Sequence, residues 1–252
     1  MCRHLGYVGP PISLHDLLVA PPFGLEHQSY APRHQAHGLV NADGWGVGWY
    51  VDGEAAPARY RTARPMWADT SFAGMAGHVR TTVAVASVRS ATPPAPVEES
   101  GVAPFRAGRI LFAHNGVVRG FAEGVGTELR RRLAPPTESR LEGRSDSEVL
   151  FGLLLDTLDD GADLTGGLAA VIEDGTELGG RYNLVVSDGD RVLATRRGDT
   201  LVVGRLGSGH VVASEPLDDS DDWQAVPEGS LVTMTADGVD IQALTHLGRG
   251  AA

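Results

Sequence analysis

The chain contains one cysteine, and it stands at position 2. A small side chain there permits removal of the initiator Met, which would make Cys2 the first residue and place a thiol and a free α-amine on one carbon. An α-amine titrates near pKa ~8, so part of it is neutral and basic at neutral pH. A thiol of ordinary pKa ~8.5 is a strong nucleophile once deprotonated. One residue then supplies both nucleophile and base. The plainer alternative is a small residue opening an edge strand.

Other stretches hold residues suited to serve such a nucleophile. Phe112-Ala113-His114-Asn115-Gly116-Val117-Val118 places Asn-Gly directly after a predicted strand. The Asn115 side-chain N–H and the Gly116 backbone N–H can converge on one oxyanion; the same dipeptide also makes a common hairpin turn. Val88-Arg89-Ser90-Ala91-Thr92 ends a strand-like run with an arginine. Its guanidinium fork suits a carboxylate, with Thr92 adding a hydroxyl, or else it forms a surface salt bridge. Asn41-Ala42-Asp43-Gly44-Trp45-Gly46-Val47-Gly48-Trp49-Tyr50 is glycine-dense on entering a strand, which permits close backbone approach or simply a turn.

The elements that must position these residues are mostly strands. Runs rich in β-branched residues and bounded by Gly, Asp or Pro predict strands at Leu5–Val8, Gly46–Val51, Val83–Val88, Arg109–Ala113, Tyr182–Ser187, Arg191–Thr195, Leu201–Val203, His210–Ala213, Leu231–Thr235 and Val239–Leu244. Ser187-Asp188-Gly189-Asp190 reads as a hairpin turn. Ser145-Asp146-Ser147-Glu148 resembles a capping box opening a helix over Val149–Leu155, and helices are predicted over Leu164–Asp174 and near Gly126–Leu133. Strands, then helices, then strands describe an α+β protein rather than alternating βαβ units. Pro93-Pro94-Ala95-Pro96 and Pro135-Pro136 mark loops, not linkers, so residues 1–252 are expected to form one domain.

Composition narrows the function. All 21 basic residues are arginine, which excludes a lysine Schiff base and a P-loop lysine, and 32 acidic residues leave a net charge of −11. That balance opposes general nucleic-acid binding. A single cysteine implies no internal disulfide. Neither a signal peptide nor an apolar span of the ~20 residues needed to cross a bilayer is visible, so a cytoplasmic protein without membrane attachment is expected.

Cys2, Asp43-Gly44-Trp45-Gly46, Arg89-Ser90-Ala91-Thr92, His114-Asn115-Gly116 and Ser145-Asp146-Ser147-Glu148 occur in this order. The set resembles the class II glutamine amidotransferases, within the N-terminal nucleophile hydrolases. The resemblance implies a four-layer αββα sandwich of two packed antiparallel sheets flanked by helices. It implies Cys2 as nucleophile with its own amine as base, and Asn115 and Gly116 as the oxyanion pair. Arg89 and Thr92 would hold the α-carboxylate of a glutamyl group and Asp146 its ammonium, while Trp45 would wall the pocket. No metal or organic cofactor is expected.

Longer segments extend the resemblance over nearly the whole chain: Met1-Cys2-Arg3-His4-Leu5-Gly6, Gln28-Ser29-Tyr30-Ala31-Pro32-Arg33, Asp69-Thr70-Ser71-Phe72 and Ala213-Ser214-Glu215-Pro216-Leu217-Asp218-Asp219. They are similar to a standalone branch of the family that hydrolyses a γ-glutamyl cysteine-sulfoxide conjugate. This implies a small-molecule substrate and no obligatory synthase domain in the chain. A glutaminase subunit feeding ammonia to a separate synthase shares the same residues and is the alternative. A binding protein with a dead site would lack one of them, and none is missing.

His27, His34 and His37 show no third metal ligand at convincing spacing, and Asp218-Asp219-Ser220-Asp221-Asp222 lacks a calcium-loop pattern. Arg33, Gln35 and His37, or the acidic run with Trp223, are candidates for recognising the far end of a cationic substrate.

Overall fold

A computed structural model describes residues 2–92 and 95–244; Met1 and Pro93-Pro94 of the first proline-rich loop lie outside the described residues. Apolar residues sit on both faces of the opening strand β1 (Arg3–Ser13), which is buried over Arg3–Val8. A strand buried on both faces belongs in the middle of a sheet. It is followed by helices α1 (Leu14–Leu18) and α2 (Leu25–Tyr30), strands β2 (Trp45–Trp49) and β3 (Ala58–Thr62), helix α3 (Thr70–Met75) and strand β4 (Arg80–Val88). Strands β5 (Phe105–Ala107) and β6 (Ile110–Val118) start a second sheet. A π-helical turn (Phe121–Val125) and four α-helices then intervene: α4 (Gly126–Arg132), α5 (Pro135–Glu138), α6 (Asp146–Asp159) and α7 (Leu164–Leu178). Strands β7 (Gly180–Ser187) and β8 (Val192–Arg196) continue the second sheet, β9 (Val202–Leu206), β10 (Gly209–Ala213) and β11 (Gln224–Ala225) return to the first, and β12 (Ser230–Thr235) and β13 (Gly238–Ala243) complete the second.

Both sheets are antiparallel, ordered β11-β9-β10-β1-β4-β2-β3 and β13-β12-β8-β7-β6-β5. Leu14, Leu17 and Leu18 of α1 pack with Leu5, Tyr7, Val47 and Ala86 in one core on the first sheet's outer face. The larger core fills the space between the sheets and continues under α6 and α7. Period-two alternation sorts the faces. A Cβ on Gly48 would come within 2.6 Å of Leu111 Cδ2 on the opposite sheet, and one on Gly6 within 2.7 Å of Val192 Cγ1. Gly6 and Gly48 therefore mark inward-facing positions where the sheets approach closely. This is the expected αββα sandwich.

The predicted strands all form, most of them longer than predicted. The short strands β3, β5 and β11 and the short helices α1, α2, α3 and α5 were not expected. The Ser187–Asp190 turn is closed as predicted, with Asp188 Oδ1 accepting from Asp190 and Arg191 N–H at 3.1 Å each. One expectation is corrected. Asn115-Gly116 does not follow the strand but lies inside β6, paired residue for residue with Asn183 and Tyr182 of β7. Pairing to β7 overrides the local turn preference of Asn-Gly.

Candidate active site

A cavity of ≈ 770 Å³ opens at the end of the sandwich where β1 begins. Cys2, Arg89, Thr92, Gly116 and Asp146 line it; Asn115 and Trp45 do not. Five residues spread over the sequence are thus brought to one hollow.

The register explains the meeting of Cys2 and Arg89. Arg3 pairs with Val88 of β4, so extending the ladder by one residue sets half-buried Cys2 opposite Arg89. His4 and Ser87 are also paired, and they share the inward face with Gly6. Arg3 points the other way. Its guanidinium donates to Gln35 Oε1 (3.2 Å) and Thr200 Oγ1 (3.4 Å). Burial lowers its pKa, and the nearby Glu215 and Asp199 oppose that shift. Glu215 Oε2 accepts the backbone N–H groups of Arg33 (2.8 Å) and His34 (2.5 Å), and Asn41 Nδ2 donates to Gln28 O (2.9 Å). Three of the longer segments noted in the sequence, those holding Arg3, Gln28–Arg33 and Glu215, therefore meet behind Cys2, while Asp69–Phe72 packs with Trp45.

β6 supplies the second wall. β5 covers its outer edge only from Ile110 to Phe112. Tyr182 N–H turns away to Arg197 O (2.8 Å), so the Gly116–Tyr182 pair exchanges no bond and Gly116 N–H points out of the open edge. Val118, two residues on, donates in the same direction to Asp146 Oδ2 (3.1 Å). A side chain at Gly116 would strike the Arg181 carbonyl and the His114 ring. His114 Nε2 donates to that carbonyl (2.9 Å), and its Nδ1 lies 3.0 Å from Ser147 Oγ, the hydroxyl that also donates to Asp146 Oδ1 (3.3 Å). Asn115 is fully buried on the inward face, and among the described residues neither its Oδ1 nor its Nδ2 has a hydrogen-bond partner. A buried amide left unpaired costs roughly 1–3 kcal/mol, so both of its polar atoms could take a further partner.

The charged groups are held ready. Asp146 opens α6, one residue after the N-cap Ser145, whose Oγ accepts from Glu148 N–H (3.2 Å). Asp146 Oδ1 accepts from Ser147 N–H (2.8 Å), so the helix start fixes the carboxylate. Arg89 is buried, and its Nη1 and Nη2 both donate to Pro96 O at 3.1 Å. No carboxylate among the described residues pairs with it. Asp43 holds the turn after Arg89 by accepting Ala91 N–H (2.7 Å).

Several expected contributors lie elsewhere. Trp45 is fully buried on the outward face of β2, against Tyr60 and Phe72. Its Nε1 donates to Asp69 Oδ2 (3.3 Å), the oxygen that also accepts Tyr60 OH (2.5 Å). It is a core residue and not a pocket wall, because alternation puts it on the face of Val47. Arg33, Gln35, His37 and Trp223 do not line the cavity. Arg33 pairs with Asp219 (2.8 Å) and lies over Phe23, and Trp223 Nε1 donates to Asp218 (2.8 Å).

Sequence reasoning overlooked Asp43, His114, Ser147 and the cavity arginines Arg119, Arg130 and Arg144. Glu148 accepts the N–H groups of Glu142 (2.5 Å) and Gly143 (2.6 Å), and Arg130 donates to Gly143 O (2.7 Å). Together they fasten the loop that carries Arg144. The Asp-Gly pair and the capping-box glutamate were the available signals. With Arg89, these cations favour an anionic ligand despite the acidic whole.

His4 is fully buried with both ring nitrogens unpartnered among the described residues. Burial first, then Arg3 and His114, push its pKa down to about 3. The native ring stays neutral while the unfolded ring protonates below pH ~6.5. The unfolded state then binds the extra proton, so His4 lowers stability as pH falls from 6.5 towards 3. Between those limits the wild type should lose ~1 kcal/mol more per pH unit than His4→Phe in denaturant titrations. Equal slopes would contradict this assignment.

A model of the class II glutamine amidotransferases matches residues 16–208. The chain is 42% identical over 244 residues to the gamma-glutamyl-hercynylcysteine sulfoxide hydrolase of Mycobacterium tuberculosis (strain CDC 1551 / Oshkosh), covering 97% of each. It is 41% identical over 233 residues to the protein of that name from Mycolicibacterium smegmatis, covering 92% of this chain and 95% of the relative. Among solved structures, a glutamine aminotransferase class-II domain protein from Silicibacter pomeroyi aligns with a TM-score of 0.68 at 27% identity, over 96% of this chain and 99% of that one. The glutamine phosphoribosylpyrophosphate amidotransferase of Bacillus subtilis aligns with a TM-score of 0.70 at 18% identity, over 96% of this chain and 49% of its own, and supports the fold alone.

Proposed function

The chain belongs to the class II glutamine amidotransferases, and from that premise we propose that it hydrolyses the γ-glutamyl amide of γ-glutamyl-hercynylcysteine sulfoxide, releasing glutamate and hercynylcysteine sulfoxide in ergothioneine biosynthesis. The observation that carries this reading is 42% identity over 97% of both chains to a hydrolase of that name. In this reading residues 1–252 act as one domain, in the cytoplasm and without a synthase partner. Among the described residues no helix is long and apolar enough to cross a membrane.

Each step has a residue. Met1 is removed, and the freed α-amine of Cys2 takes the thiol proton. The thiolate attacks the γ-carbonyl, and Gly116 N–H with Asn115 Nδ2 receives the oxyanion. The ammonium of Cys2 protonates the departing nitrogen as the C–N bond breaks, leaving a γ-glutamyl thioester. Water gives a proton to the same amine and attacks the thioester; glutamate leaves and the thiol is restored. Arg89 and Thr92 hold the α-carboxylate, and Asp146 holds the ammonium.

Incubation with the sulfoxide conjugate and with glutamine, followed by glutamate release, tests the reading. The conjugate should be preferred; a clear preference for glutamine would favour the ammonia-supplying alternative. Arg89→Ala and Asp146→Ala should each lower kcat/KM by ~10–100-fold, the value of a lost charge-assisted contact of ~1.5–3 kcal/mol. Full kcat/KM in both variants would remove those roles.

A further inference from the structure

We infer that His4 is a positioning residue for the oxyanion donor Asn115: its ring N–H faces the Asn115 carbonyl oxygen and so turns the amide N–H towards the reacting carbonyl. This rests on the reading of Asn115 as an oxyanion donor.

The placement follows from register. Gly6 faces Val185 and Val192 across the gap between the sheets. Two residues towards Cys2, on the same face of β1, stands His4. Two residues along β7 from Val185, on the same face, stands Asn183, and its partner on β6 is Asn115. Cys2 and Gly116 line one cavity, so both displacements lead to the same end of the sandwich. His4 is therefore set against the Asn115–Asn183 pair from the opposite sheet.

Hydrogen-bond accounting singles out Asn115 within that pair. Asn183 is fully engaged: its Oδ1 accepts Arg197 N–H (2.9 Å), and its Nδ2 donates to the Asp199 and Thr200 carbonyls (3.0 and 3.1 Å). Asn115 and His4 are both fully buried, and among the described residues the polar atoms of both side chains are unpartnered. Two buried and unsatisfied polar side chains at the same end of the sandwich are costly, and an imidazole and an amide can each supply what the other lacks. An amide also needs such a partner to choose between its two orientations; with Oδ1 engaged, only Nδ2 is left to face substrate. The backbone of His4 is fixed for the purpose, since His4 N–H donates to Ser214 Oγ (3.0 Å) and His4 O accepts Ser214 N–H (3.0 Å). Catalytic hydrogen bonds are often longer without substrate and tighten in the reacting complex.

His4→Phe keeps the ring shape and removes the N–H. It should lower kcat about tenfold with KM little changed, because a misaimed donor affects the transition state rather than binding. It should melt at or above the wild-type temperature, since an unpaired buried polar ring is replaced by an apolar one. His4→Gln restores an N–H donor and should recover most of kcat. In an Asn115→Ala background, His4→Phe should cost nothing further, as expected for residues acting as a unit. Three results would overturn the proposal: full kcat in His4→Phe, losses that multiply independently in the double variant, or a loss in His4→Phe that His4→Gln does not restore. If Asn115→Ala alone keeps full activity, the oxyanion reading itself fails, and His4 with it. A loss in Asn115→Ala beside a fully active His4→Phe overturns the His4 proposal only.

Discussion

Cys2→Ala is expected to abolish glutamate release, by at least ~10⁴-fold in kcat, while the protein unfolds at nearly the wild-type temperature. The two halves of this expectation have separate grounds. Cys2 precedes β1, is half-buried and belongs to neither hydrophobic core, so truncation removes little packing. The frame behind it is built from Arg3, Gln35, Thr200 and Glu215, none of which the substitution touches. The chemistry, by contrast, has no substitute: this is the chain's one thiol. Mass spectrometry of active wild-type enzyme should show Met1 missing and, when turnover is trapped with acid, a glutamyl adduct on the first residue. Turnover by Cys2→Ala, or by protein that retains Met1, would end the proposed mechanism.

Asn115→Ala should slow turnover by roughly 10²–10³ with a smaller change in KM. The amide makes no hydrogen bond among the described residues, so its removal breaks no structural bond. A purely structural Asn would be bonded, as Asn183 beside it is, and its loss would appear in the melting temperature. The expected pattern is the reverse, with kcat falling and stability held. Gly116 N–H remains as the second donor, which is why the loss is bounded. A fall in stability with kcat preserved would identify Asn115 as a buried frame residue instead.

Much of this arrangement is legible in the amino-acid sequence. Cys2, Arg89, Thr92, Gly116 and Asp146, the site residues that the family resemblance implies, reach one cavity. What failed did so for identifiable reasons. His114-Asn115-Gly116 was placed after a strand because Asn-Gly is a strong local turn signal, yet the partner that keeps it extended is β7, more than 60 residues away. The family resemblance implies Trp45 as a pocket wall, although alternation already puts it on the side of Val47 and away from Gly46 and Gly48. Glu148 was read as half of a capping box. Ser145 does cap the helix, but the Glu148 carboxylate turns to Glu142 and Gly143. Strand β3 reads Ala-Arg-Tyr-Arg-Thr, and β5 and β11 are very short, so neither apolar periodicity nor length announces them.

The place of β1 in its sheet also governs when the catalyst can exist. The strand that carries the nucleophile is the first to be synthesised, yet its neighbours are β4, complete only at Val88, and β10, complete only at Ala213. The ladder on both sides of β1 therefore closes only once the chain extends to Ala213, with the slow, long-range pairing such topologies demand. Until then β4 alone flanks the strand that starts beside the thiol. A fragment that stops short of β10 lacks one of the two strands that flank the start of β1.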